Sequence, residues 1–263
     1  MSDKTNIDYC DHTWSPWQGC SHVSPGCAHC YMLALMRRWG KNGTVRTLTK
    51  DWKKIRRWNN RLTCDCGCVK PHIENIYAYP CPRCRSDYRP ARVLVSMCDP
   101  FDDEVPADWH LRFLELISET PNLTWLLLTK RPQNVQTIGR WPDNVWIGVS
   151  AEDQQRADER IPILLRIPAR TRWVSVEPML GPVEGWFGKN GGWLKGEQID
   201  WVIVGGESGF NHRRCEIEWI QSIADQCKVA DVPCFVKQDS HRLPGQQGRI
   251  PDDLWAIKQF PTV

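Results

Sequence analysis

From about residue 91 to residue 238 the chain repeats one plan, in which a continuous apolar run of strand length gives way to a polar cluster and then to a helix-length stretch. The runs are Val93-Leu94-Val95-Ser96, Trp125-Leu126-Leu127-Leu128, Val145-Trp146-Ile147-Gly148-Val149, Trp173-Val174-Ser175-Val176, Trp201-Val202-Ile203-Val204 and Cys234-Phe235-Val236. Short, unbroken and rich in β-branched residues, they predict strands of a parallel sheet buried on both faces. Trp109 to Glu119, Ala157 to Leu165 and Ile217 to Val229 supply the helices between them. The last has apolar residues near the i, i+3, i+7 spacing of one buried stripe. The expected fold class is α/β, a partial or modified (β/α) TIM-like barrel with right-handed crossovers, forming one domain over residues 1–263.

Parallel strands place all their C-terminal ends on one rim, so whatever follows the runs converges there. Those residues are Ser96, Cys98 and Asp99; Thr129, Lys130 and Arg131; Ser150, Glu152 and Asp153; Glu177; Gly205, Gly206, Glu207 and Ser208; and Lys237, Gln238 and Asp239. Polar residues end any strand that must turn in water, but six successive clusters bearing Lys, Arg, Glu and Asp point to a site. Lys130, Arg131 and Lys237 suit a carboxylate or phosphate. Glu177 suits ribose hydroxyls or a proton, and Ser150 and Ser175 suit hydrogen bonds to a cofactor. Each could equally sit in a buried ion pair that only shapes the rim.

Two stretches break the plan. Residues 62–90 lack apolar periodicity until Ile76-Tyr77-Ala78-Tyr79 and read as a small inserted module. Residues 181–199, rich in Gly and carrying Trp186, Phe187 and Trp193, read as a long loop or lid.

Composition narrows the class. With 263 residues, 41% of them hydrophobic, a substantial core is available. Lys plus Arg exceeds Asp plus Glu by only 34 to 31, so overall charge neither demands nor excludes a nucleic-acid partner. The polar start, Met1 to Asn6, and the absence of any span-length apolar run imply a cytoplasmic protein without a membrane partner. In that setting 13 cysteines read as metal ligands rather than disulfides.

The cysteines fall into groups. Cys20, Cys27 and Cys30 have the spacing C-x6-C-x2-C, after a possible first strand near Thr13-Trp14 and before a helical pattern from Met32 to Trp39. Three thiolates can hold three irons of a [4Fe–4S] cluster and leave the fourth iron open. Spacing alone equally allows a closed tetrahedral zinc with Cys10, His22 or His29. A position on the polar rim favours the cluster.

Cys64, Cys66, Cys68, Cys81 and Cys84 form the second group. Four of them suit a structural zinc, with Cys66, Cys68, Cys81 and Cys84 as the expected set and Cys64 as a substitute ligand; a second iron–sulfur cluster is the alternative. Just before them, Lys50 to Arg61 carries six cations and two tryptophans. That composition fits either a nucleic-acid groove or a helix with a solvated basic face.

Thr13-Trp14-Ser15-Pro16, Gly19-Cys20, Val23-Ser24-Pro25-Gly26-Cys27 and Cys30-Tyr31 resemble the three-cysteine-motif family of phage and bacterial proteins, regarded as radical-SAM-like. The resemblance continues through Leu128-Thr129-Lys130-Arg131-Pro132, Val145 to Ser150, Val174-Ser175-Val176-Glu177-Pro178, Gly205-Gly206-Glu207-Ser208-Gly209 and Phe235-Val236-Lys237-Gln238. It implies a barrel of the radical SAM type with a cluster, S-adenosylmethionine and an electron donor of flavodoxin or ferredoxin type. It also implies that Gly205-Gly206-Glu207 is the element holding the methionine amino group, although a plain strand-ending turn would read the same. The loop departs from the usual radical-SAM spacing of C-x3-C-x2-C, and His29 stands where that loop has an aromatic. The expected function is therefore a radical S-adenosylmethionine enzyme abstracting hydrogen, with a nucleic acid base or nucleotide as substrate, in phage DNA modification. The alternatives are a zinc-bearing nucleic-acid-binding or adaptor protein on an inactive barrel, and an ordinary hydrolase using Glu177 or Asp99.

Overall fold

The computed structural model describes residues 5–71, 80–135, 139–186 and 198–262. In chain order the elements are β1 (His12–Trp14), β2 (Trp17–Gln18), α1 (Tyr31–Arg38), β3 (Thr47–Leu48), α2 (Lys53–Asn59), β4 (Arg61–Thr63) and β5 (Val69–Pro71). There follow β6 (Arg89–Val95), α3 (Ala107–Ser118), β7 (Leu123–Thr129), β8 (Val145–Ser150), α4 (Gln154–Leu165) and β9 (Thr171–Val176). The chain continues with β10 (Trp201–Gly205), α5 (Ile217–Ala230), β11 (Cys234–Gln238) and α6 (Asp252–Trp255).

Strands β1, β6, β7, β8, β9, β10 and β11 run parallel in that spatial order. The beginning of β6 pairs antiparallel with β4, which pairs antiparallel with β5. The strand period of two sorts each apolar run into two faces. Val93, Trp125, Ile147, Val174, Val202 and Val236 share one core with Phe113 of α3, Ile161 of α4 and Ile223 of α5. Leu94, Leu126, Trp146, Trp173, Trp201, Ile203 and Phe235 share the other with Tyr9 and Cys10. Tyr9 precedes β1 at one edge, yet its ring lies 5.9 Å from both Trp201 and Phe235 at the other, so the sheet curls around it.

The curl does not close, and this corrects the expected TIM-like barrel. The hydrogen-bonded order ends at β11 on one side and at β5 on the other. The outer edge of β6 is divided between short β1 and antiparallel β4, leaving no full strand for β11 to meet. Helical cover is also incomplete: one 3-10 turn, Pro132–Asn134, lies between β7 and β8, and no helix occurs among the described residues between β9 and β10. The structure is a mixed, curled half-barrel.

The three expected helices are α3, α4 and α5. Helix α4 starts three residues early because Asp153 caps it, accepting from Arg156 N at 2.8 Å. Gly148 is required by packing: a Cβ there would lie 2.3 Å from the Trp173 indole. The expected segment Ile76 to Tyr79, and Phe187 and Trp193 of the expected lid, lie outside the described residues. Trp186 is described and donates from its indole N–H to Asp158 at 2.8 Å.

Candidate metal centres

The loop carrying Cys20, Cys27 and Cys30 lies across the C-terminal ends of the parallel strands. β1 brings the chain there beside β6, where Ser15 Oγ accepts from Ser96 N at 3.1 Å and Met97 N at 2.8 Å. Gly19 has φ +104°, and a Cβ on it would lie 2.6 Å from Val45 O; glycine alone allows Cys20 N to reach Gly43 O at 3.0 Å. Cys27 closes a 3-10 turn from Pro25, and Cys30 immediately precedes α1.

Groups from three strand ends strap this loop down. Beyond β7, Arg131 donates from Nη1 to Cys20 Sγ at 3.5 Å and from Nη2 to Ser21 Oγ at 2.8 Å. Beyond β8, Glu152 accepts from Ser24 Oγ, from Gly26 N at 3.2 Å and from Arg160 Nη1 at 2.8 Å. Beyond β10, Glu207 Oε2 lies 2.9 Å from His29 Nδ1. Glu207 also accepts from Arg213 N at 2.8 Å and Nη2 at 2.5 Å, while Arg213 Nη1 donates to Pro25 O at 3.1 Å. The three thiols are free and half-buried, and Cys20 and Cys30 rest on Met32, Met36 and Met97. Burial raises the Cys20 pKa, while the Arg131 hydrogen bond works the other way.

The expected rim residues divide into three sets. Lys130, Ser150, Ser175, Glu177 and Lys237 surround the curled face above the tryptophans: Lys130 Nζ donates to Ser150 Oγ at 3.2 Å, Ser150 and Ser175 pair in register, and Lys237 forms an ion pair with Glu177. Arg131 turns instead to the loop and to Asp99, its Nη1 lying 3.2 Å from Asp99 Oδ2. Gly205, Gly206 and Glu207 belong to the support of β11 and the loop. A Cβ on Gly206 would lie 2.4 Å from Ser240 N, and the Glu207 carboxylate is occupied by Arg213 and His29. Burial opposes ionisation of Glu207, but the Arg213 bonds prevail and its pKa is lowered.

Sequence reasoning passed over Asp102, Arg46 and Arg213. Asp102 is fully buried and accepts from Arg46 Nε at 2.9 Å. Its one signal is the acidic run Asp99, Asp102, Asp103 and Glu104; nothing local marks the arginines.

Of the second cysteine group, Cys64, Cys66 and Cys68 lie at the turn joining β4 and β5, while Cys81 and Cys84 lie in the segment that leads to β6. Cys64 N donates to Cys68 O at 3.1 Å, and Gly67 takes φ +78° within the turn. The sulfurs of Cys64, Cys66, Cys68 and Cys81 all lie within 4.8 Å of one another, and this group could hold a metal ion. Cys66 Sγ is 3.4 Å from both Cys64 Sγ and Cys68 Sγ, and 3.7 Å from Cys81 Sγ. A tetrahedral site with metal–sulfur bonds of about 2.3 Å needs sulfur separations of about 3.8 Å. The Cys81 pKa is lowered to about 5, chiefly by the backbone N–H of Cys84 and also by that of Arg83, against its burial. The converging set thus includes Cys64, the expected substitute; Cys84 Sγ lies 3.0 Å from Ser86 Oγ and also adjoins the thiols of Cys64, Cys66 and Cys81.

On nearby α2, Lys53, Arg56 and Arg57 are exposed while Trp52 and Trp58 are buried. His12 stacks on Trp58 at 4.0 Å and Arg112 lies 4.2 Å above Trp52, so this segment offers charge to solvent and its indoles to the core.

Among the described residues no helix is long and apolar enough to cross a membrane. The model of a family described as proteins of unknown function, DUF5131, matches residues 4–250. No curated protein and no solved structure matches the chain.

Proposed function

The chain belongs to that DUF5131 family, and because membership brings no activity with it, we propose from the rim itself that Cys20, Cys27 and Cys30 hold a [4Fe–4S] cluster serving S-adenosylmethionine radical chemistry. The observation that carries this reading is a loop of three free, half-buried thiols strapped to the ends of three parallel strands, with a guanidinium donating to one sulfur. The donor set fits. The rim sulfurs are not gathered within 4.8 Å as the second group's are, which suits thiolates on separate irons better than thiolates around one zinc. Thiolate charge has a cation in Arg131 and an apolar bed in Met32, Met36 and Met97.

When bound, the two groups would supply reductive cleavage of the S-adenosylmethionine sulfur–carbon bond, one electron giving methionine and an adenosyl radical able to take hydrogen from an unactivated carbon. The chain's own residues shape the space below. Lys130 and Lys237 can bind a carboxylate or phosphate, Glu177 can accept from ribose hydroxyls, and Ser150 and Ser175 offer hydroxyls between them. Glu207 serves the loop in this reading, since Arg213 and His29 already engage its carboxylate. The exposed cations of α2 support a nucleotide or nucleic acid as substrate.

A second metal follows from the second group. Its near-tetrahedral sulfur spacing supports zinc on Cys64, Cys66, Cys68 and Cys81, tying β4 to the edge of β6.

Anaerobic purification and reconstitution with iron and sulfide tests both parts. The expected protein carries about four irons and one zinc and shows a visible charge-transfer spectrum that a triple Cys20, Cys27, Cys30 to Ala variant lacks. It also cleaves S-adenosylmethionine under dithionite. Iron-free protein, or an iron protein that leaves S-adenosylmethionine intact, would point to the alternative of a zinc-bearing adaptor.

A further inference from the structure

Arg131 stands in the sequence Thr129-Lys130-Arg131 as one of two adjacent rim cations, but the fold sends the two in opposite directions. Lys130 reaches Ser150 on the curled face, while Arg131 is only 4% exposed and turns to the cysteine loop. Its Nη1 donates to Cys20 Sγ at 3.5 Å and to Asp99 Oδ2 at 3.2 Å; Nη2 donates to Ser21 O at 3.3 Å and Ser21 Oγ at 2.8 Å.

The side chain is held from several directions. Asp99 also accepts from Thr129 Oγ1 at 2.7 Å and Lys130 N at 3.0 Å, so the carboxylate orienting Arg131 is fastened to the end of β7. Arg131 N donates back to Thr129 Oγ1 at 2.8 Å. Asp102 lies 4.0 Å from Nη2 and is itself held by Arg46 at 2.7 Å. A planar guanidinium fixed on three sides presents a donor to the sulfur without further ordering, whereas the flexible ammonium of lysine would present a point charge. Arg131 thus has few donors left for a substrate, and its one sulfur contact falls on an expected cluster ligand.

We infer that Arg131 is a positioning residue for the cluster: it fixes the Cys20 ligand and stabilises the reduced, more negative state by a charge-assisted hydrogen bond to its sulfur. This rests on the cluster reading above. A hydrogen bond and a positive charge at a ligand sulfur raise a cluster's reduction potential, because they favour the added electron.

The test uses reconstituted full-length protein without S-adenosylmethionine, comparing wild type with Arg131→Met and Arg131→Lys. Iron content, the visible spectrum and the midpoint potential from a dithionite titration are measured. Arg131→Met is expected to bind iron with a potential shifted down by about 59 mV, equivalent to a tenfold lower reduced-to-oxidised ratio for a one-electron couple. Arg131→Lys, which keeps a charge between Asp99 and Asp102, should fall between and remains decisive if the Met variant does not fold. Unchanged potentials in iron-loaded variants overturn the inference and leave the cluster reading standing. A wild type that binds no iron overturns the cluster reading, and the inference with it.

Discussion

Glu207 Oε2 lies 2.9 Å from His29 Nδ1, joining the carboxylate at the end of β10 to the residue directly before Cys30, 178 positions away in the chain. Arg213 completes the clasp from the other side of the same carboxylate. The geometry of the cysteine loop therefore depends on strands that fold far from it in sequence.

Glu207→Gln should loosen this clasp while leaving the sheet intact. Arg213 loses its charged partner, the loop gains mobility, and a protease of broad specificity such as proteinase K should cut between residues 20 and 30 faster than in wild type. The pH dependence has a definite sign. Because the Glu207 pKa is below its ordinary value of 4.5, its contribution to stability is present above that value and is lost as pH falls through the lowered pKa. Thermal midpoints measured from pH 7 downward should decline in wild type below about pH 4.5 and decline less steeply in the Gln variant. Parallel pH profiles would show that the clasp contributes nothing.

Gly148→Ala should destabilise the core. The new methyl would meet the Trp173 indole, which is buried between Gly148 and Trp201 and 5.6 Å from the latter ring, so Trp173 must move into an occupied space. Overpacking of this kind costs about 1–3 kcal/mol. Chemical denaturation followed by tryptophan fluorescence reads the loss directly; an unchanged midpoint would mean that the indole has room to retreat.

The second metal group makes a distinction among five similar cysteines. Cys64→Ser and Cys81→Ser each remove a member of the converging set and should abolish stoichiometric zinc binding, whereas Cys84→Ser should retain it. Zinc released by a thiol-modifying reagent and measured with a colorimetric chelator distinguishes them. Equal loss in Cys84→Ser would transfer the site to the set that includes Cys84.

The contrast marks what can be read from the chain before folding. The apolar runs identify six of the parallel strands, since Val, Ile, Leu and Trp in short unbroken series suit a sheet covered on both faces. They do not reveal that the valines face the helices while Trp146, Trp173 and Trp201 fill the curl, and closure is likewise invisible. Closure turns on β6, whose edge is shared with β4, a strand that starts just before the segment expected as an insertion. The three-cysteine loop is legible because its cysteines are close in sequence. The partners that hold it are not: Arg131 is 111 residues from Cys20, and Glu152 is 126 from Gly26. Among Cys64, Cys66, Cys68, Cys81 and Cys84, spacing permits several ligand sets; the backbone turn around Gly67 gathers Cys64, Cys66 and Cys68, and Cys81 joins them from the segment before β6.

Glu152 offers the most stringent test of how the loop is held. Its side chain is fully buried, Arg160 from α4 is 5% exposed, and the same carboxylate caps the 3-10 turn through Ser24 and Gly26. Burial opposes its ionisation, yet Lys130, Arg160 and Ser24 keep its pKa lowered. Glu152→Ala would leave the Arg160 guanidinium buried with only the hydrogen bond to Ser150 O that the structure shows beside it, and breaking a buried pair in this way costs about 3–5 kcal/mol. The double variant Glu152→Ala with Arg160→Met removes the stranded charge and should recover much of that loss, as measured by urea unfolding. It should not recover the loop, because Ser24 Oγ and Gly26 N still lack their acceptor. Cluster retention during gel filtration should therefore remain poor in the stabilised double variant. If stability and retention recover together, Glu152 acts through the fold alone; if only stability recovers, it acts on the cysteine loop itself.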